Sequence, residues 1–181
     1  MTARIAAALP PYAASVQAAF DRIMPSGVPP LVLFATLARD ERLFERFRGG
    51  ALLDPGHLTL RQREIIIDRI TALAGSEYEW SVHVFFFAER AGLDAVQQHS
   101  LVRGSGNDPC WAPEERLLIR ACDMLHHTCD IDDELWQALR RNLSEGALIE
   151  LLMLAGFYRM VSYLTNALRL PLESYAAGFP V

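Results

Sequence analysis

Three residues capable of proton transfer, Glu64, Glu79 and His83, lie close together in the sequence. A histidine can give or take a proton near neutral pH, and a carboxylate beside it can hold its tautomer, raise its pKa or relay the proton. Glu79 precedes His83 by four residues, so the two side chains can meet if this segment is helical. The set suits removal or delivery of a proton at a carbon next to a carbonyl group, including decarboxylation through an enolate.

Two predicted helices position these residues. The first covers residues 58–74 and carries Glu64 at the edge of a broad apolar face. A glycine then breaks the helix, and the second, residues 78–91, carries His83 on the flank of its core stripe. Consecutive helices of this kind can pack as a hairpin, which would bring Glu64 near His83. Ser76 is expected to cap the second helix, whose free amide groups could stabilise an oxyanion.

Each of these residues also has a purely structural interpretation. A single glutamate on a helix is usually solvated, which would place Glu64 at the surface. His83 fits a half-buried, hydrogen-bonded histidine as well as a functional one, and Ser76 fits a simple helix cap. Trp80 and the phenylalanines that follow it suit a core or a subunit interface. Spacing alone does not separate the two interpretations.

The whole chain predicts an all-helical protein with a single domain, residues 1–181. Turns rich in proline and glycine separate segments with a helical period of apolar residues. We expect residues 1–50 to form an N-terminal helical arm and residues 51–181 to form the core. Within the arm, residues 30–47 are expected to be one helix, and within the core residues 145–168 are the last long helix.

The composition excludes several classes of chemistry and partner. The chain has 181 residues, is 51% hydrophobic and carries a formal net charge of −5, which argues against nucleic acid or an anionic membrane as its main partner. All 17 basic residues are arginine, so no lysine is present to form a Schiff base. We expect no signal peptide and no apolar run long enough to span a bilayer, and the three cysteines do not form a disulfide framework. These features predict a cytoplasmic protein without a cofactor.

A metal site is not expected either. Asp123 and His126 are three residues apart, but a metal site in a helical bundle needs such pairs from several helices. No second pair of the Glu-x-x-His type is present. His126 and His127 are instead expected near the negative end of a helix dipole.

Four positions of the chain resemble the frame of the alkylhydroperoxidase D-like family, which is Glu-x11-Cys-x-x-Cys-x3-His. These positions are Glu64, Ser76, Glu79 and His83. The Glu-Tyr-Glu-Trp sequence of residues 77–80 is similar to the carboxymuconolactone decarboxylase branch, and the similarity extends over most of the chain, including residues 58–64 and 158–167. The resemblance implies an all-α helical bundle that forms an intertwined homo-oligomer, a trimer or a hexamer, with sites near a subunit interface.

The two cysteine positions of the family frame are occupied by Ser76 and Glu79, which cannot supply a peroxidatic thiolate and a resolving thiol. Thiol-dependent hydroperoxide reduction is therefore not expected, although the family label suggests it. The decarboxylase branch implies His83 as the proton-transfer residue, Glu64 as its partner and Glu79 as a second acid. The residues expected to contact the substrate are Ser76, Tyr78 and Trp80.

The expected function is lyase-type acid–base chemistry on a small carboxylated lactone or a related acid. A substrate carboxylate would bind one arginine near the site, and Arg63, Arg69 and Arg90 are all open to this role. The alternatives are a thiol peroxidase and a protein that binds a small molecule without catalysis.

Overall fold

The computed structural model describes residues 2–52 and 54–180, which form nine α-helices and no β-strand. The predicted all-helical class is thereby confirmed. The helices are α1 (Ala14–Ile23), α2 (Val32–Leu37), α3 (Glu41–Gly50), α4 (Leu60–Leu73), α5 (Glu77–Ala91), α6 (Ala95–Arg103), α7 (Pro113–Thr128), α8 (Asp133–Arg140) and α9 (Glu145–Leu168).

Helix α4 forms the centre of the bundle. It begins with a capping box, in which the side chains of Thr59 and Gln62 each accept the other residue's backbone amide. It then packs against α5, α6, α7 and α9. Because neighbouring helices surround it, the consecutive residues 63–71 are all buried. The charged side chains of this stretch therefore lie in the interior, where an unpaired charge is costly.

Helices α4 and α5 form the predicted hairpin. Gly75 follows α4 with a φ of +65°, a left-handed conformation that glycine adopts without steric cost. Helix α5 ends in the same way at Gly92, where φ is +66°. The short connection packs α5 directly against α4, which places His83 opposite Glu64.

The N-terminal segment differs from its prediction, because residues 30–47 form two helices instead of one. Asp40 has an extended backbone, and its carboxylate caps α3 by accepting the Leu43 amide. This cap separates α2 from α3. Together with α1, the two short helices enclose a small core of their own, which consists of Val16, Ala19, Phe20 and Phe44.

Helix α9 has the predicted extent, and Ser144 caps its start, because the Ser144 hydroxyl accepts the Ala147 amide. By length and composition it is apolar enough to cross a membrane, so the expectation of no such segment is wrong for this helix. Half of its most apolar stretch is buried inside the protein, where α9 packs on α4, α5 and α8. Its outer face is exposed and apolar. The large side chains of this outer face are Ile149, Leu152, Met153, Met160 and Tyr163.

Candidate active site

His83 and Glu64 form a buried pair that links α5 to α4. The Nδ1 atom of His83 lies 2.8 Å from Oε2 of Glu64. His83 is only 6% exposed and Glu64 only 3% exposed, so the interpretation of Glu64 as a solvated surface residue is wrong. The carboxylate fixes the orientation of the imidazole ring and leaves its other nitrogen, Nε2, free for a second partner.

Glu79 provides this second carboxylate. Its Oε1 atom lies 3.6 Å from Nε2 of His83, which is close enough for charge attraction but too long for a good hydrogen bond. The other oxygen, Oε2, is buried and has no hydrogen-bond partner among the described residues. The predicted contact across one turn of α5 is therefore present, and one oxygen of Glu79 is left for a ligand or a proton.

The surroundings of His83 favour its protonated form. Burial alone would lower the pKa of His83, but the electrostatic influence of Tyr158 and Glu64, with the contacts to Glu64 and Glu79, outweighs burial and raises that pKa well above its usual value. Tyr158 packs edge-on against the imidazole, with 4.9 Å between ring centroids. An imidazolium at neutral pH is suited to donating a proton, which sharpens the predicted role of a histidine that titrates near pH 7.

A further carboxyl group, Asp68, lies one helical turn after Glu64 on α4. It is 1% exposed, and neither of its oxygens has a hydrogen-bond partner among the described residues. Burial and then the charge of Glu64 raise the pKa of Asp68 well above its usual value, against the opposing influence of His83. Asp68 is not among the site residues predicted from the sequence, although its spacing of four residues from Glu64 indicates that the two share a helix face.

Replacement of Asp68 by asparagine is expected to stabilise the protein, and to do so more as the pH rises. The folded-state pKa of Asp68 is raised above its unfolded value of about 3.9, so the unfolded chain releases this proton more readily than the folded chain. The wild type therefore loses stability above about pH 4, and the asparagine variant does not incur this loss. Urea unfolding from about pH 5 to about pH 8 measures the free energy of unfolding. The gain of Asp68→Asn over the wild type should grow with pH to more than about 1 kcal/mol.

The matched control for this prediction is Asp133→Asn, at an exposed position at the start of α8. It should show no comparable gain with rising pH. A gain for Asp68→Asn that stays constant or shrinks as the pH rises would contradict a raised pKa for Asp68.

A cavity of about 280 Å³ adjoins His83. Its wall is formed by the N-terminal helices on one side and by α5 and α9 on the other. Four charged side chains line it, three from α5 and one arginine from α3. These four are Arg48, Glu79, His83 and Arg90. The wall is otherwise apolar, with an aromatic set of Phe34, Phe47, Phe86, Phe87, Phe157 and Tyr158.

Ser76 lies outside this cavity wall. It occupies the N-cap position of α5 as predicted, but its side chain makes no capping hydrogen bond. Its hydroxyl is instead paired with the hydroxyl of Thr165 on α9, at 2.7 Å, and the residue is fully buried. The expected cap by the Ser76 side chain is therefore wrong, because the neighbouring helix supplies a better partner.

Tyr78 and Trp80 also lie away from the cavity wall. The Tyr78 hydroxyl donates to the Glu173 carboxylate and accepts the Leu33 amide, so it ties the C-terminal segment to the N-terminal one. The Trp80 ring packs against Phe179, with 5.3 Å between ring centroids. These contacts give both residues a structural role, and the geometry of this cavity does not support their predicted contact with a substrate.

Of the arginines near the site, two stabilise the helical bundle and two line the cavity. Arg63 and Arg69 each bind a carboxylate and backbone carbonyl groups of neighbouring segments, so both hold the bundle together. Arg90 is the only one of the three predicted arginines on the wall of this cavity. Arg48, which was not among the predicted arginines, also lines it.

The cysteines and the histidines other than His83 lie apart from His83 in the sequence. None of them contributes a side chain to the wall of this cavity. Cys122 is buried, and burial raises the pKa of its thiol, while Cys110 is half-buried and Cys129 is exposed. His126 and His127 occupy the last turn of α7, as predicted. Within residues 2–52 and 54–180, no three His, Cys, Asp or Glu side chains are grouped so as to hold a metal ion.

The chain has measurable likeness to known proteins in sequence and in fold. Residues 41–121 match the family model of the carboxymuconolactone decarboxylase family, and this segment contains Glu64, Ser76, Glu79 and His83. No curated protein matches the chain in sequence.

Three solved structures show the likeness in fold. An uncharacterized peroxidase-related protein from Silicibacter sp. TM1040 is 15% identical, with 99% of each chain covered and a TM-score of 0.83. A substituted form of the debrominase Bmp8, in complex with 2,3,4-tribromopyrrole, is 17% identical over 96% of this chain and 94% of that one, with a TM-score of 0.71. The alkylhydroperoxidase AhpD core of a peroxidase-related protein from Ralstonia eutropha JMP134 is 13% identical over 88% and 83%, with a TM-score of 0.63.

At these identities the structural likeness establishes the fold and nothing finer. The sequence match covers the α4–α5 hairpin that holds the candidate site. The predicted resemblance is thereby confirmed: residues 41–121 carry the pattern of the carboxymuconolactone decarboxylase family, on an alkylhydroperoxidase D-like fold.

Proposed function

We propose that the chain is an acid–base enzyme of the carboxymuconolactone decarboxylase type, acting on a small carboxylated lactone or a related acid. The observation that carries this proposal is the placement of His83. It is held by the buried Glu64 on one ring nitrogen, faces Glu79 on the other and lines a largely apolar cavity. A small cavity of about 280 Å³, near the lower end of the range of about 300–1,000 Å³ for ligand pockets, favours a small substrate.

The reaction that suits this geometry begins with loss of carbon dioxide from the substrate. The bond between the substrate carbon and its carboxylate breaks, and the electron pair enters a conjugated enolate. The imidazolium of His83 then donates its proton to the resulting carbanionic carbon and becomes neutral. A proton from solvent, passed through Glu79, restores the imidazolium. The substrate thus loses carbon dioxide and gains one proton.

Glu64 acts in this scheme as a positioning residue. Its carboxylate fixes the ring of His83 and favours the charged form that donates the proton. The aromatic wall of the cavity reduces contact with water, which strengthens charge interactions during the reaction.

The direct test is turnover of a carboxymuconolactone-like γ-carboxylactone in D₂O. We expect one carbon dioxide released for each product molecule and one deuterium incorporated at the protonated carbon. Binding of the lactone without carbon dioxide release would instead favour a protein that binds small molecules without catalysis.

A thiol peroxidase remains the alternative that the family label suggests. It is disfavoured because Ser76 and Glu79 occupy the cysteine positions and Ser76 is fully buried. With cumene hydroperoxide and dithiothreitol we expect no consumption above the buffer rate. Turnover that is abolished by mutation of the cysteines would establish the alternative.

The three free thiols also support the proposed cytoplasmic location, since such thiols persist in a reducing compartment.

We further propose that the chain forms a homo-oligomer, a trimer or a hexamer. The support is the exposed apolar face of α9, since a monomeric protein rarely exposes a contiguous apolar stripe of this kind. Ile149→Arg, at a side chain that is 60% exposed, is expected to leave the subunit folded and to weaken association by roughly 3–5 kcal/mol, because it buries an unpaired charge. Light scattering after size-exclusion chromatography measures the mass.

The control for this prediction is Val96→Arg, at another exposed apolar side chain, on α6 and away from α9. It should leave the mass unchanged. A wild type with the mass of one chain, or an Ile149→Arg variant with the mass of the wild type, would disprove the role of this face.

A further inference from the structure

The cavity has a basic side that the proposed proton transfer does not use. Arg48, on α3, pairs through Nη2 with Glu45, at 2.9 Å on its exposed side. Its Nε atom is buried and has no hydrogen-bond partner among the described residues. A buried donor on a charged group is costly to leave unpaired. The orphaned donor belongs to a residue of the cavity wall, and a ligand in the cavity reaches it only if the Arg48 side chain turns to expose Nε.

A second arginine reaches the same cavity from α5. Arg90 follows His83 by seven residues, which places it two helical turns further along the same face. Its guanidinium lies over the ring of Phe87, 5.6 Å from the ring centroid, and the residue is exposed at the edge of the cavity. The arginine side chains thus enter from two different segments of the chain.

The cavity wall presents more cationic than anionic side chains. Arg48, Arg90 and the imidazolium of His83 are positive, and Glu79 is the single carboxylate among the described residues of the wall. Glu45 and Glu64 pair with Arg48 and His83 from outside the wall, which leaves Arg90 as the cation of the wall without a carboxylate partner among the described residues. Glu79 lies beside His83, one helical turn away, so its charge is partly offset by the imidazolium. The rest of the wall is rich in aromatic rings, which pack well against a flat, apolar body.

We propose that Arg48 and Arg90 form a carboxylate-binding site in this cavity, and that its ligands are small, flat organic carboxylates. The Nε and a terminal nitrogen of Arg48 can together bind a carboxylate in a bidentate manner. The ring or conjugated chain of the ligand then lies on the phenylalanines, with its far end toward His83. In the proposed reaction this carboxylate is the anchor and not the group lost, because ion pairing stabilises it against loss of carbon dioxide. The site shares the cavity with the proposed function but does not depend on proton transfer by His83.

The test uses benzoate as the probe and benzamide as its uncharged analogue, with calorimetric titration of the full chain. We expect millimolar or tighter binding of benzoate and much weaker binding of benzamide. Arg48→Gln should weaken benzoate binding roughly 10- to 100-fold, as expected for loss of a charge-assisted pair. Arg48→Lys, which keeps the charge but loses the Nε donor, should fall between the wild type and Arg48→Gln.

The matched control is Arg46→Gln on the exposed face of the same helix, which should bind benzoate as the wild type does. Circular dichroism establishes that all variants are folded. Equal affinity for benzoate in Arg48→Gln and the wild type would overturn the proposal, as would equal affinity of the wild type for benzamide or no benzoate binding at all. Decarboxylation that requires His83 but is insensitive to Arg48 would disprove this site alone, whereas benzoate binding through Arg48 without any His83-dependent turnover would disprove the proposed function alone.

Discussion

Replacement of His83 by glutamine is expected to lower the rate of decarboxylation by roughly 10²- to 10⁴-fold, the usual contribution of a positioned general acid. Glutamine can still donate a hydrogen bond to Glu64 and fill much of the same space, so the fold should persist. It cannot carry the proton that the imidazolium gives to the substrate carbon. The loss should therefore appear mainly in kcat, measured by carbon dioxide release and by deuterium incorporation from D₂O.

The matched control is His99→Gln, at an exposed histidine on α6. It should leave both readouts at the level of the wild type. If His83→Gln is folded and retains full turnover, His83 is not the proton donor and the proposed mechanism fails.

Replacement of Glu64 by alanine is expected to destabilise the protein by about 3–5 kcal/mol, because it leaves the buried imidazolium of His83 without its closest counter-charge. The folded-state pKa of His83 lies above its unfolded value of about 6.5. The stability that this group contributes is therefore fully present below about pH 6.5 and is lost as the pH rises through the folded-state pKa. The penalty for Glu64→Ala should accordingly be largest below about pH 6.5 and smaller in alkaline solution.

The neighbouring Asp68 also makes the loss of stability in Glu64→Ala smaller at higher pH. The charge of Glu64 contributes to the raised pKa of Asp68, so removal of Glu64 allows Asp68 to ionise more readily and to compensate part of the lost charge at higher pH. Urea unfolding at several pH values measures the penalty, and the NMR titration of the His83 ring measures the fall of its pKa. Glu64→Gln, which keeps a hydrogen-bond acceptor, should show a smaller loss.

Glu89→Ala serves as the control for these measurements, since Glu89 is an exposed carboxylate on α5. It should change stability by no more than about 0.5 kcal/mol. A penalty for Glu64→Ala that grows with rising pH would show that His83 is neutral in the folded protein.

The sequence by itself determined the helical class and the order of the reactive residues. The period of apolar residues, the glycine after α4 and the Ser144 cap are local signals, and they predicted the α4–α5 hairpin and α9. Because Glu64 and His83 lie on the two arms of that hairpin, their meeting could also be anticipated from spacing. The same local logic was wrong for residues 30–47, where the Asp40 cap outweighed a continuous apolar pattern.

Only the tertiary structure decided which polar side chains are buried and which line the cavity. Helix α4 occupies the centre of the bundle, so Glu64 and Asp68 are buried. In an amphipathic helix at the surface, the same faces would be exposed to solvent. Arg48 lines the cavity because the N-terminal segment folds back on α5 and α9, a contact between residues far apart in sequence. The side chain of Ser76 does not cap α5, because its hydroxyl is hydrogen-bonded to Thr165 on α9. Local spacing fixes how residues are arranged along one helix, whereas burial and the partners of buried groups depend on which other helices pack against it.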